Sequence, residues 1–290
     1  MVPASSDRQP APADCPNTVT VDGRQVAYAE YGDPGGDPVV FMHGSPGSRR
    51  LGRVLDAPAT RLGVRLLAPD RPGIGQSEPP PVGLDDWPDT VDTLLDRLHV
   101  DRSSVVGFSG GGPFALACHD LDRIDSVAVI GSAGPPEIGG AGRTQATLGT
   151  LARYTPGLVS ALMGLQGWLL DRGDPERFLD LVATDRPATE TLSTADLARL
   201  VRADMREAVS QGHGAVVTEL GVLTDAWPFD LSEVGVPVTV FHGQRDTNVE
   251  HETGRELSRR LPDATFVSVD AGHLGTLCRA RTDVLRSVTV

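Results

Sequence analysis

The sequence predicts an α/β fold, with a mostly parallel, doubly wound sheet of about eight strands and helices on both faces. Three observations lead there. Short apolar runs alternate with helical patterns along most of the 290 residues. Runs such as Val39-Val40-Phe41-Met42 show no polar face, as strands covered on both sides require. Several runs end in glycine-rich turns that present a serine, an aspartate or a histidine, and open α/β sheets build their sites beyond such strand ends.

The elements follow in order. Residues 1–17 are rich in Pro, Ala, Ser and Asp and read as a disordered tail. Residues 18–32 alternate like two antiparallel strands, with Asp22-Gly23 as the hairpin turn. Strand 39–42, a helix at about 50–62, strand 64–68, helix 87–98, strand 104–108, helix 110–121 and strand 126–131 then form a βαβ series. The rhythm breaks from about Pro135 to Gly212. Leu148–Leu170 carries Leu, Met and Trp168 at helical spacing, and Phe178–Val182 and Leu197–Val209 continue the pattern with no clear strand between them. The alternation resumes at 214–224, strand 237–241, helix 250–260, strand 264–269 and helix 275–288. Residues 18–134 and 213–290 therefore read as one core, and 135–212 as an insertion.

The chemistry concentrates at four turns. Gly107-Phe108-Ser109-Gly110-Gly111 lies between a strand and a helix, and G-x-S-x-G in that setting is a nucleophile elbow. The tight turn projects the Ser109 hydroxyl, and glycines remove the clash that bulkier neighbours would make. His43-Gly44-Ser45-Pro46-Gly47-Ser48 follows an earlier strand. Acyl transfer needs two N–H donors around an oxyanion, and Ser45 and Gly110 are the expected pair. Asp246 stands in the turn after strand 237–241, and His273 in the glycine loop after strand 264–269. The chain order Ser109, Asp246, His273 is that of serine hydrolases with this elbow. Asp270 is a nearby carboxylate, but it sits on the connection to the histidine. The other histidines have plainer roles: His43 organises its loop, His99 and His119 end helices, His213 lies in a connection, and His251 starts a helix. His242 competes with His273 only by its closeness to Asp246.

These motifs, with Asp70-Arg71-Pro72-Gly73-Ile74-Gly75-Gln76-Ser77, resemble the α/β-hydrolase superfamily over roughly residues 19–290. The resemblance implies the α/β-hydrolase fold, with 135–212 as a helical cap over the site. It also implies serine hydrolysis through Ser109, Asp246 and His273. Thr247-Asn248-Val249-Glu250, after the acid, lacks the proline often found there. The Asp70–Ser77 segment is read as a structural turn near the site, because it lacks the lysine of a phosphate loop.

The expected reaction is cleavage of a carboxylic ester of a small molecule. A proline-iminopeptidase-like aminopeptidase is a near rival and would need an acidic grip such as Glu176 or Asp180. Carbon–carbon hydrolysis or perhydrolysis would use the same three residues. Serine at 109 argues against epoxide hydrolase and dehalogenase chemistry, for which the family uses aspartate there. A non-catalytic binding protein is the rival from another class, and the intact Ser, Asp and His set argues against it. No metal or organic cofactor is required.

Composition sets further bounds. Net charge is −13, all 26 basic residues are arginine, and aspartate outnumbers glutamate 28 to 11. Such charge repels nucleic acid and anionic membranes. An acidic, lysine-free surface suits a cytoplasm of molar salt, where the screening length is only ~3 Å; GC-rich coding would give a similar bias. Cys15, Cys118 and Cys278 are odd in number and far apart, so neither a disulfide framework nor a metal site is expected. With no leader-like opening and no run of ~18 apolar residues, the expectation is a cytoplasmic monomer or homodimer.

Overall fold

A computed structural model describes residues 16–138 and 187–289, with isolated positions between them. Among the described residues eight strands form one sheet: β1 (Asn17–Val21), β2 (Arg24–Gly32), β3 (Asp37–Met42), β4 (Val64–Pro69), β5 (Ser103–Phe108), β6 (Ile124–Ile130), β7 (Val238–Gly243) and β8 (Ala264–Val269). Their spatial order is β1-β2-β4-β3-β5-β6-β7-β8. Only β2 runs antiparallel to its neighbours, and every other pairing is parallel. The β1–β2 register brings Val21 opposite Arg24 across a two-residue loop. Asp22 and Gly23 both have positive φ there, 48° and 81°, as a type I′ hairpin requires.

The helices are α1 (Asp56–Leu62), α2 (Trp87–Arg97), α3 (Gly111–Ala117), α4 (Thr194–Ala208), α5 (Gly214–Val222), α6 (His251–Arg260) and α7 (His273–Val288). The strand period sorts side chains between two apolar layers. Val39, Phe41, Val106 and Phe108 join α7 and α1 on one face. Val40, Met42 and Val105 join α2 and α3 on the other. In α2 the buried residues Trp87, Val91, Leu94 and Leu95 fall at i, i+4, i+7 and i+8, one face of a helix. Burial of each large apolar side chain contributes about 1.5–3 kcal/mol.

Four predicted boundaries change. The helix at 50–62 is two pieces, a 3₁₀ segment Arg49–Leu55 followed by α1. The helix at 110–121 ends at Ala117 and continues only as a 3₁₀ turn, Cys118–Asp120. The last helix starts at His273 rather than 275, so the histidine opens a helix instead of sitting in a loop. β1 begins at Asn17, inside the segment read as a tail. Most of the tail, with Cys15, lies outside the described residues, as does most of the predicted helical stretch 148–182. Cys118 and Cys278 are buried free thiols, and burial pushes Cys278 up to about 12.

The strand order reverses between β3 and β5. Consecutive connections leave β3 toward β4 on one side, while β5 lies on the other. A crevice opens at such a switch point beyond the carboxyl ends of the strands. The loops after β3 and β5 meet there.

Candidate active site

Ser109 follows β5 directly and has φ +53°, a left-handed conformation that costs a non-glycine residue about 1–3 kcal/mol. The surroundings hold it there. Its N–H donates to Ile130 O (2.8 Å), and its carbonyl accepts from Gly112 N (3.0 Å). The flanking glycines are required by close approach. A Cβ on Gly111 would stand 2.3 Å from Met42 O and 2.5 Å from His43 O, and one on Gly107 would stand 2.5 Å from Gly111 O. The motif spacing thus follows from two backbones crossing at the elbow. Among the described residues the Ser109 hydroxyl has no hydrogen-bond partner.

The loops after β7 and β8 bring Asp246 and His273 together. His273 Nδ1–H donates to Asp246 Oδ2 at 2.7 Å. Asp246 Oδ1 accepts from the N–H groups of Asn248 (2.9 Å) and Val249 (3.0 Å). Burial opposes ionisation of Asp246, but the His273 hydrogen bond, its charge and the Val249 N–H outweigh it. The carboxyl is held below its ordinary range. An ionised acceptor on Nδ1 leaves Nε2 as the basic nitrogen. The Phe108 ring lies 4.9 Å from the imidazole, centroid to centroid. Gly131, at φ +53°, makes room for the pair, since a Cβ there would lie 3.1 Å from His273 Nδ1 and 3.2 Å from Asp246 Oδ2.

The loop after β3 closes on the elbow. A Cβ at Gly110 would stand 3.2 Å from Ser45 N, and one at Gly44 would stand 3.4 Å from Ser109 Cβ. Ser45 N and Gly110 therefore lie close together beside the serine. A hydroxyl and an oriented imidazole on neighbouring turns have the chemistry for nucleophilic attack on a carbonyl.

A family model described as alpha/beta hydrolase fold matches residues 37–277. The chain belongs to that family. Among relatives of this α/β hydrolase, the AB hydrolase superfamily protein YisY of Bacillus subtilis is 22% identical over 251 residues, covering 82% of this chain and 85% of the relative. The 2-hydroxymuconate semialdehyde hydrolase of Pseudomonas putida is 29% identical over 272 residues, covering 87% of each. Two solved structures share the fold. The enol-lactonase of Burkholderia xenovorans LB400 is 21% identical with a TM-score of 0.66, covering 94% of this chain and 98% of its own. The esterase RhEst1 of Rhodococcus sp. is 22% identical with a TM-score of 0.65, covering 93% and 97%.

The remaining sequence candidates of this α/β hydrolase fall away from the serine chemistry. His43 is fully buried, and both ring nitrogens are engaged: Nδ1–H donates to Gly44 O (2.8 Å) and Nε2 accepts from Arg71 N (3.4 Å). Burial, then the Arg71 charge, holds it neutral, well below the usual histidine range. His242 Nε2–H donates to Val249 O at 3.0 Å and lies 3.6 Å from Asp246 Oδ2, so it packs beneath the acid. Asp270 is exposed and pairs with Arg245. Glu176 is exposed, and Asp180 lies outside the described residues.

Sequence reasoning missed three acids that reach the Ser45 loop or the 3₁₀ segment that follows it. From α4, Asp204 Oδ1 accepts from Ser48 N (2.9 Å), Ser48 Oγ (2.7 Å) and Leu51 N (3.1 Å). Glu207, on the same helix, pairs with Arg49 and Arg50 and accepts from Gln76 Nε2 at 2.8 Å. From α5, Glu219 pairs with Arg71 and accepts from Ser45 Oγ. The signal was present in the helical period. The buried residues of α4 are Leu197, Ala198, Val201, Asp204 and Ala208, so Asp204 stands on the apolar face. Glu219 likewise shares the buried face of α5 with Val216. A charged side chain at a core position needs a partner.

Proposed function

We propose that this α/β hydrolase is a serine hydrolase that cleaves a carboxylic ester, or a related acyl bond, of a small molecule through an acyl-enzyme. The observation that carries this reading is the 2.7 Å His273–Asp246 bond beside the elbow serine. Ser109 is the nucleophile. His273 takes its proton as Oγ attacks the carbonyl, and Asp246 holds the imidazole and stabilises its charged form. The N–H groups of Ser45 and Gly110 hold the oxyanion, each lowering the barrier by about 3 kcal/mol. His273 then gives its proton to the leaving group. Water, activated by the same imidazole, releases the acid and restores Ser109. The hydroxyl–imidazole contact forms as substrate binds, since such bonds are often long without it.

A second reading is hydrolysis of a carbon–carbon bond by the same residues. Its support is the 2-hydroxymuconate semialdehyde hydrolase, a relative matched along 87% of both chains. The aminopeptidase reading needs an unpaired acid to grip an amine. Glu219, the acid beside Ser45, is already paired with Arg71. We also read the acidic, lysine-free composition as that of a cytoplasmic enzyme of a salt-rich cell. Exposed Arg–Asp and Arg–Glu pairs such as Arg102–Asp125 and Arg260–Glu256 accompany it.

The test is labelling with a fluorophosphonate, followed by a panel of acyl esters, lactones, aminoacyl amides and vinylogous diketones. A Ser109 adduct and kcat/KM highest for esters are expected. Folded protein without an adduct would favour a binding role, and highest turnover of diketones would favour the carbon–carbon reading.

A further inference from the structure

We propose that Glu219, acting through Arg71 and Ser45, is a positioning residue for the oxyanion site. The inference rests on the serine-hydrolase reading and adds a residue to it. Arg71 and Glu219 are both almost fully buried. Arg71 Nε donates to Glu219 Oε1 at 2.5 Å and Nη2 to Glu219 Oε2 at 3.0 Å, a two-pronged pair. The rest of the guanidinium grips three consecutive residues of the loop after β3. Nη1 donates to His43 O (2.8 Å), and Nη2 to Gly44 O (3.2 Å) and Ser45 Oγ (3.1 Å). The Ser45 hydroxyl in turn donates to Glu219 Oε2. Arg71 also stacks over Phe114, with Cζ 4.6 Å from the ring centroid. That ring belongs to α3, the helix that follows the elbow.

The geometry has a direct consequence for Ser45. Its side chain and the two preceding carbonyls are fixed by one ion pair, so the direction of its N–H is fixed too. Leu223, the residue that ends α5, reaches the second donor residue, because its Cδ1 lies 2.9 Å from where a Cβ on Gly110 would stand. Helix α5 and its C-terminal cap residue thus touch both Ser45 and the neighbourhood of Gly110. An oxyanion donor is effective only when aimed within a few tenths of an ångström, so loosening the loop should weaken transition-state stabilisation more than substrate binding. A buried guanidinium that loses its carboxylate must seek other acceptors, and the nearest are those loop carbonyls.

The experiment uses the full chain and the fluorophosphonate, whose P=O oxygen occupies the oxyanion position. Second-order labelling rates are compared for wild type, Ser45→Ala, Glu219→Gln and the double variant, with thermal melts to confirm folding. Glu219→Gln should label about tenfold or more slowly, Ser45→Ala several-fold more slowly, and the double variant no more slowly than Glu219→Gln alone, as residues on one path behave. With p-nitrophenyl acetate the loss should fall on kcat, with KM within about threefold. A purely structural pair would lower the melting temperature while folded molecules labelled at the wild-type rate. That result, or single effects that multiply in the double variant, overturns the proposal. Should Glu219→Gln fail to fold, Ser45→Ala decides, and a wild-type labelling rate for it is equally fatal. A wild-type chain that takes no label at Ser109 removes the serine-hydrolase reading and this inference with it.

Discussion

Asp204→Asn should make the protein more stable in alkaline buffer and should flatten part of its pH dependence. Asp204 is fully buried on α4. Burial above all, reinforced by nearby Asp70, raises its carboxyl to about 7 from a reference of 3.8, against the lowering effect of bonds from Ser48 and Leu51. The sign follows from proton counting. Between pH 3.8 and 7 the folded protein keeps a proton that the unfolded chain has lost, so stability falls as pH rises through that window. One pKa unit is worth about 1.4 kcal/mol, and the full difference is therefore about 4 kcal/mol. Between about pH 5 and pH 8.5 the part that changes is about 2.5 kcal/mol. Asparagine keeps the acceptor, because all three bonds run to Oδ1, and it has no charge to bury. Urea melts of both proteins at a series of pH values would give the difference directly. The stability of Asp204→Asn relative to wild type should climb by about 2.5 kcal/mol from pH 5 to 8.5. A difference that stays level across that range would mean that Asp204 is ionised throughout, and the reasoning would fail.

Other outcomes follow from the same geometry. Ser109→Ala and Ser109→Gly should both abolish turnover and labelling, yet the glycine variant should be about 1 kcal/mol more stable than the alanine variant, because only glycine relieves the positive φ; equal melting temperatures would contradict that. Asp246→Asn should lower kcat by about 10⁴-fold with little change in fold, read by ester turnover and circular dichroism. Gly111→Ala should cost about 3 kcal/mol in a urea melt, because its Cβ meets the carbonyls of Met42 and His43. Raising KCl toward molar concentration should increase activity and melting temperature; full activity without salt would count against the salt-adapted reading.

The parts legible in the sequence are those whose cause is local. Helix α2 shows its buried face as a regular spacing, and the buried strands stand out as unbroken apolar runs. The elbow, with its crossing backbones, shows as two glycines around Ser109. The parts that were misread have distant causes. The 3₁₀ segment Arg49–Leu55 looks helical in composition. The N–H of Arg49 is bonded to Asp70 and that of Leu51 to Asp204, and these partners accompany its tighter winding. α7 starts two residues before the sequence pattern predicts, because Gly272 offers no side chain as a cap signal; its N–H donates instead to Asp185, 87 residues away. The acids over the Ser45 loop were lost in an acidic composition. Ser45 meets Glu219 across 174 residues, and Ser48 meets Asp204 across 156. No local pattern encodes such pairs, although a carboxylate on an apolar helix face announces that a partner exists.

Burial alone does not decide what a carboxylate does in this protein. Asp246 and Asp204 are both buried beside the same crevice, and their carboxyls shift in opposite directions. The difference lies in what they face. Asp246 accepts one bond from an imidazole that can become a cation and two from backbone N–H groups. Asp204 accepts three bonds from neutral groups and has a like charge for a neighbour. The first is therefore ionised near neutral pH and can stabilise a positive imidazole, whereas the second is near its midpoint and cannot hold a steady charge. Proton transfer at Ser109 requires the former kind of acid, and holding a helix against a loop tolerates the latter. Glu219 makes a third case, a buried acid matched by a buried guanidinium. That two-pronged pairing suits the proposed task of keeping Ser45 in one orientation while charge develops beside it.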